Sequence, residues 1–522
     1  MSRTKNSIKN SFISVIFQAI SLLLNFVVRM FFIRYLTTTD LGINGLFTNI
    51  LNVLSIAELG IGEAINFAMY KPLANNEIEK IKKIMKFYKK VYLIIGAIIT
   101  IAALSLMPFL SLFMNDIEYT LRIAIIYFLF IANTTVSYLF SYKRNLLIAD
   151  QKMYITSICK YIFYTIFKIF QIVYLVLCKD YIGYLIIQVI ETIFEYASIA
   201  IVADIKYPYL REKVEGKIDE ENKKEITKNT KAMMMHKIGD VIVNSTDNIL
   251  ISKIVGIIAV GLYSNYYMIT SSLTMVYNQI YSSITSSVGN LCVNADSNKK
   301  YDVFKKIDFL TFILYCCSSV ILFNALNDFI VIWLGEDYLF NISIVAIICV
   351  NFYLAGMRKS VQTFREATGL FYKDRWKSIV EAIVNIIVSV LLGIKFGVLG
   401  IFIGTTITYL TTCCFIESYI LYKYCFNEKF HHYIIDFLKR IIILVVSCTI
   451  SYYFYNLIDC ILIIKFVIGF CLSSFISMAI IVIFYFRDDS FKWSICFSKN
   501  IFAKLFKRKK QKKECLFVVY NK

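Results

Sequence analysis

The residues that stand out in this sequence are charged and amide side chains set inside long apolar runs. Gln18, Ser21, Asn25 and Arg29 recur at steps of three and four, so one helical face carries them all. Lys237, Asp240, Asn244 and Asp247 form a second such face, and its first three members lie 219 residues beyond Gln18, Ser21 and Asn25. Asn52, Ser55, Glu58 and Glu63 follow in a third run, where Gly60 and Gly62 separate the two acids. Thr274 and Asn278 belong to a fourth, together with Tyr266, Tyr267, Ser271, Tyr277, Gln279 and Ser282. A charge near the centre of a bilayer costs roughly 2.5–3.5 kcal/mol, so such groups are usually kept for function. Their chemistry is that of binding: amides and hydroxyls for sugar oxygens, cations for an anion, carboxylates for a proton or a metal cation. Structural readings stand beside this one. Lys237 can pair with Asp240, Asp247 with Lys253, and Arg29 can snorkel outward.

Covalent chemistry finds no constellation. The three histidines are His236, His431 and His432, and no Gly-rich phosphate loop or Cys/His cluster occurs. The fourteen cysteines fall mostly inside apolar runs, including the adjacent pairs Cys316–Cys317 and Cys413–Cys414, and act as small apolar fillers. Neither an enzyme nor a metal site is expected.

The elements that position these groups are membrane spans. The chain is 58% hydrophobic and 18% charged over 522 residues, with three prolines. Apolar runs long enough to cross a ~30 Å hydrocarbon core repeat from end to end. Unpaired backbone has no partner there, so the spans are helical, about fourteen in number. Ser11–Arg34 is the first; Leu41–Tyr70, Ile257–Gly289, Val398–Tyr422 and Tyr433–Tyr455 are among the others. The sequence ELGIGE predicts a bent or locally unwound second span, or close packing there. Lysine and arginine crowd alternate connections and both tails, so the positive-inside rule puts both termini in the cytoplasm and accounts for the net charge of +20.

The halves repeat. Gly42 and Gly261 are 219 residues apart, Gly183 and Gly400 are 217 apart, and Arg144 and Lys152 map onto Arg365 and Lys373. The expected organisation is all-α: a six-helix bundle over 1–204, a cytoplasmic linker over 205–232 and a second six-helix bundle over 233–424. Two further helices follow over 425–486, then a basic cytoplasmic tail over 487–522. An even number of helices per unit makes the repeat parallel. Lys168 and Glu191 lie at similar depth and predict a salt bridge in the first bundle, with Lys160 and Lys168 as candidate anion-holding cations.

Four segments carry a family resemblance: IRYLTTTDLGINGLFTNILNVLSIAELGIGEAI, YKRNLLIADQKMY, STDNILISKIVGIIAVGLYSNYYMI and FGVLGIFIGTTI. They resemble the Wzx-type polysaccharide flippases of the multidrug/oligosaccharidyl-lipid/polysaccharide exporter superfamily, best at Asp40, Gly42, Gly60, Asp247, Gly261 and Gly400. The resemblance spans the first twelve helices. It implies a MATE-like flippase in the bacterial cytoplasmic membrane, moving undecaprenyl-diphosphate-linked oligosaccharide repeat units by alternating access. It also implies a cationic cavity, here Arg29 and Lys237 with Lys160 and Lys168, diluted by Glu58, Glu63, Asp240 and Asp247. The expected partners are the lipid-linked oligosaccharide, membrane lipid, and the glycosyltransferases and polymerase of the same pathway, with no nucleic acid. No cofactor is expected beyond a coupling ion, H+ or Na+. The alternatives are a cation-coupled multidrug exporter of the same fold, a lipid II flippase, and a membrane-bound polymerase.

Overall fold

The computed structural model describes residues 3–58, 61–115, 117–212, 241, 245–368, 370 and 377–506, and among them every regular element is a helix. Arg3–Tyr35 is α1, Thr38–Leu54 α2, Ile61–Asn75 α3, Ile78–Leu106 α4, Leu121–Ala149 α5, Met153–Cys178 α6 and Tyr181–Lys206 α7. Residues 245–254 form α8. Then come α9 (Ile257–Asn294), α10 (Ser297–Leu334), α11 (Ile342–Thr368) and α12 (Lys377–Thr408), which continues as wide π-type turns over Tyr409–Glu417 and, beyond the short α13 (Ser418–Leu421), over Tyr422–Phe426. The chain closes with α14 (His431–Asn456), α15 (Leu462–Tyr485) and α16 (Asp489–Phe506). Nine stretches among the described residues are long and apolar enough to cross a membrane. This is a polytopic all-α membrane protein.

The expected spans that lie in the described residues fall on these helices, with two interruptions that matter; residues 233–240 and 242–244 of the seventh, Met233–Val255, lie outside the described residues. The second span is α2 and α3 together: α-helix stops at Leu54, a tight 3-10 turn covers Ser55–Glu58, and α-helix resumes at Ile61. The interruption expected in this span is present as the Ser55–Glu58 turn, and Leu59 and Gly60 lie outside the described residues. Spans eleven and twelve run together as α12 but break at Gly397, whose φ of 59° and ψ of −136° suit a residue without Cβ. The start of α2 is fixed by a capping box. Asp40 N–H donates to Thr37 Oγ1 at 3.1 Å, and the Asp40 carboxylate accepts from Thr37 N–H at 3.4 Å. Asp180 caps α7 in the same manner, accepting from Gly183 N–H at 2.7 Å.

The chain divides into two compact units. The first comprises residues 1–272 and 375–405, so it holds α1–α8, the first part of α9 and most of α12. Two apolar clusters build its interior on either side of the α2–α3 break. Phe32, Leu46, Phe47, Tyr127 and Tyr181 centre one, and Ile65, Met69, Ile84, Tyr88 and Ile199 the other. Inside this unit α2 and α9 cross at their glycines. A Cβ on Gly42 would stand 2.1 Å from Ile257 O, and one on Gly261 would stand 2.7 Å from Thr38 O. Thr38 and Ile257 are 219 residues apart, as Gly42 and Gly261 are, so the contact is reciprocal between repeat mates.

The second unit comprises residues 273–374 and 406–522 and is built around α10, against which α11, α14, α15 and α16 pack. Ionic groups clip it together. Arg358 Nη2 and Arg365 Nη1 reach Glu417 Oε1 at 3.1 and 2.9 Å, with all three side chains buried or nearly so. Asp308 takes Arg440 and, at 2.6 Å, the Ser360 hydroxyl. Asn324 donates to Ser451 at 2.8 Å and Ser473 at 2.9 Å, tying α14 and α15 to α10. The segment from 487, read from sequence as a basic tail, begins as the helix α16. Phe491 and Ser494, three positions apart, are its buried contacts, and Phe491 meets Phe309 edge-on at 6.2 Å.

Candidate functional site

The most defined polar site lies in the first unit, where α8 meets both arms of α12. Asp247 is 7% exposed, and the Thr405 hydroxyl donates to its two carboxylate oxygens at 3.2 and 3.3 Å. Asn385 Nδ2 donates to Thr405 Oγ1 at 3.2 Å, and the Thr246 hydroxyl donates to Asn385 Oδ1 at 3.3 Å. Asn385 and Ser389 are wholly buried, and Ser389 bonds to Ile401 O at 3.1 Å. The break at Gly397 turns the chain back so that Asn385 and Thr405 face each other. Among the described residues no basic side chain pairs with Asp247; Lys253 is exposed and does not serve as its partner. An ionised carboxylate in apolar surroundings without a counter-charge is costly. Its neighbours are oxygen donors, the preferred ligands of a hard cation, and the same carboxylate can take a proton.

A second group lines the α1–α6–α7 side of the same unit. Asn25 accepts from the Tyr164 hydroxyl, and Phe17 stacks on Tyr161 at 5.0 Å. Arg29 Nη1 donates to Ser264 Oγ on α9 at 3.1 Å, so it is engaged within the protein rather than snorkelling freely. Gln18 is half-buried on the same face of α1. Lys168 Nζ lies 3.3 Å from Glu191, 2.8 Å from Gln171 Oε1 and 5.2 Å from the centre of the Tyr164 ring. The expected salt bridge is therefore present, and Lys168 is committed to it. Arg144 donates to Tyr196 OH at 3.3 Å.

At the α2–α3 break, Glu58 accepts from Tyr92 OH at 3.1 Å, and Asn145 donates to Tyr92 OH at 3.2 Å and to Tyr88 OH. Asn52 is exposed one and a half turns earlier. The wide polar face of α9 is partly spent locally. The hydroxyls of Ser271, Ser272, Ser282 and Thr285 bond to carbonyls of their own helix, while Tyr281 bonds to Thr311 of α10 at 2.8 Å. Thr274 is half-buried and Asn278 is exposed. Lys237, Asp240 and Asn244, and the side chain of Glu63, lie outside the described residues.

Sequence reasoning found Asp247 and missed Asn385 and Thr405. Asn385 is a single polar residue in the apolar run VNIIV, and Thr405 is one of three threonines in GTTIT; both read as helix–helix glue. The signal was the fall of both runs on flanking sides of one glycine break.

Over residues 7–285 the sequence matches the family described as "Polysaccharide biosynthesis protein", more than half of its length. The chain belongs to the polysaccharide biosynthesis protein family. Solved structures share the fold of this family member. Lipid II flippase MurJ, in an inward closed conformation, superposes with a TM-score of 0.64 at 15% identity, covering 91% of this chain and 98% of its own. An inward-facing multidrug resistance MATE transporter of the MOP superfamily gives 0.57 at 13%, covering 77% and 96%. A MOP superfamily transporter from Pyrococcus furiosus gives 0.52 at 13%, covering 81% and 97%. A search of curated protein sequences finds no match. Family and fold agree on a polytopic all-α membrane protein of polysaccharide biosynthesis.

Proposed function

We propose that this family member flips undecaprenyl-diphosphate-linked oligosaccharide repeat units across the bacterial cytoplasmic membrane for capsule, O-antigen or exopolysaccharide synthesis. The observation that carries the reading is membership of a polysaccharide biosynthesis family on a transporter fold. Arg29, bonded to Ser264 and one helical turn from Asn25, which accepts from Tyr164, supports it: a cation with amides and hydroxyls suits a phosphate-bearing, hydroxyl-rich cargo. The concentration of lysine and arginine on one side supports cytoplasmic termini. The Asp247–Thr405–Asn385 group is our choice for the coupling ion, H+ or Na+, because a carboxylate with no counter-charge among the described residues favours whichever state admits a cation. Deleting the gene is expected to trap lipid-linked repeat units in the inner leaflet and abolish the surface polysaccharide. Normal surface polysaccharide in the deletion strain would overturn the proposal.

A second reading, flipping of lipid II, is favoured by the likeness to MurJ over nine-tenths of the chain. Essentiality of the gene for growth distinguishes it, since loss of a capsule or O-antigen flippase is expected to spare cell-wall synthesis.

A further inference from the structure

The lysines of α4 divide by the face they take. Lys82 is buried, and the protein supplies it with two carboxylates, Glu79 at 2.7 Å and Glu212 at 2.6 Å. Lys86, Lys89 and Lys90 are exposed, and among the described residues no carboxylate comes within ion-pair reach of Lys89 or Lys90. Beyond Lys86 and Lys90, the same steps of three and four reach Leu93, Ala97, Ile101 and Leu104. Cations and an apolar stripe therefore share one helical face. That stripe is open along its length, with Ile101 64% exposed. Its hydroxyls are spent locally: Thr100 bonds to Gly96 O at 2.7 Å and Ser105 to Ile101 O at 2.8 Å.

Depth follows from the rise of the helix. Together with the 3-10 turns of Met107–Leu112, α4 makes up the candidate span Ile78–Leu112. From Leu93 to the exposed Leu112 the rise is about 30 Å, the thickness of a hydrocarbon core. Lys90, Lys89 and Lys86 then stand one to two turns past the edge of that core, at the depth of lipid phosphates.

We propose that this face of α4 binds an anionic phospholipid, its phosphate held by Lys86, Lys89 and Lys90 and an acyl chain laid along Leu93, Ala97, Ile101 and Leu104. Charge and apolar surface point to the same occupant. A free phosphate ion would satisfy the lysines and leave the stripe unused. A zwitterionic lipid would bring a second cation to the cluster. A sugar finds no free hydroxyl or amide on the stripe, so the face suits a lipid of the surrounding bilayer rather than a glycan. Each lysine close to an anionic lipid surface is worth about fivefold in affinity.

The test reconstitutes the full-length protein in phosphatidylcholine vesicles with a trace of phosphatidylglycerol that carries a diazirine beside its glycerol. After illumination and digestion, label is expected on the α4 peptide between Lys83 and Ile94. Replacing part of the phosphatidylcholine by unlabelled phosphatidylglycerol is expected to compete it away. Phosphatidylethanolamine in the same amount, or added sodium phosphate, is expected to leave it. In the variant Lys86→Gln/Lys89→Gln/Lys90→Gln, label on this peptide is expected to fall at least about fivefold while label elsewhere is unchanged. The matching triple arginine variant is expected to keep it. Absence of label from this peptide overturns the proposal, as does equal competition by phosphatidylethanolamine or by phosphate. Unchanged label in the glutamine variant overturns it too. The competition arms use the wild-type protein, so they decide even where the glutamine variant fails to fold.

Discussion

Asp247 shows what a single residue can be asked to do here. Its carboxylate has hydroxyl and amide neighbours on α12 and, among the described residues, no cation beside it, so neutralising it removes the reason for a cation to enter. Asp247→Asn keeps the shape and the bond from Thr405. Transport is expected to fall by at least about tenfold, equivalent to ~1.4 kcal/mol, with protein abundance unchanged. Asn385→Ala and Thr405→Ala are expected to raise the cation concentration needed for half-maximal transport. The check is uptake of labelled lipid-linked substrate into inverted vesicles, titrated with Na+ and with pH. Full activity of Asp247→Asn would remove the site from the mechanism. The sequence already showed Asp247, since an acid in an apolar run is conspicuous. Thr405 was not legible, because a threonine in a span satisfies itself on its own helix and resembles many others.

Helices are the next scale, and their ends and breaks were unevenly visible. Gly60 and Gly62 beside Glu58 announced the α2–α3 interruption, because glycine weakens a helix. The π-type turns over Tyr409–Glu417 had no such mark. Glu417, at the end of the first of them, is held by Arg358 and Arg365 from another helix. Removing that carboxylate takes the shared counter-charge from two largely buried guanidinium groups. Glu417→Leu is therefore expected to cost about 3–5 kcal/mol, read as lower abundance and a lower thermal midpoint in detergent. A second expectation concerns the α2–α9 crossing. Gly42→Leu has backbone 2.1 Å from where its Cβ would start, so the helices must part. A loss of roughly 1–3 kcal/mol is expected on the same thermal measurement, with Gly261→Leu behaving alike.

For the whole molecule, composition was informative because the bilayer allows so few solutions: long apolar runs become helices, and basic residues choose a side. The division into units, which cuts α9 after Ser272 and α12 after Thr405, was not visible, since it depends on which helices touch rather than on which are neighbours in sequence. Orientation is checked with native cysteines. Cys178, at the end of α6, and Cys460, between α14 and α15, are exposed on the side poor in basic residues. An impermeant maleimide added to intact cells is expected to label these two and to spare Cys496, which reacts only after the membrane is opened. Labelling of Cys496 in intact cells would reverse the topology.

The glycine crossing carries one more implication. Thr38 faces Gly261 as Ile257 faces Gly42, which is the arrangement found where two identical subunits meet about a twofold axis. Two copies of a half-length ancestor would make this contact with themselves, each glycine supplied by the same codon. Joined in one gene, two such codons would be independent. A change on one side would then oblige no change on the other, and matching positions of the two halves would be free to specialise.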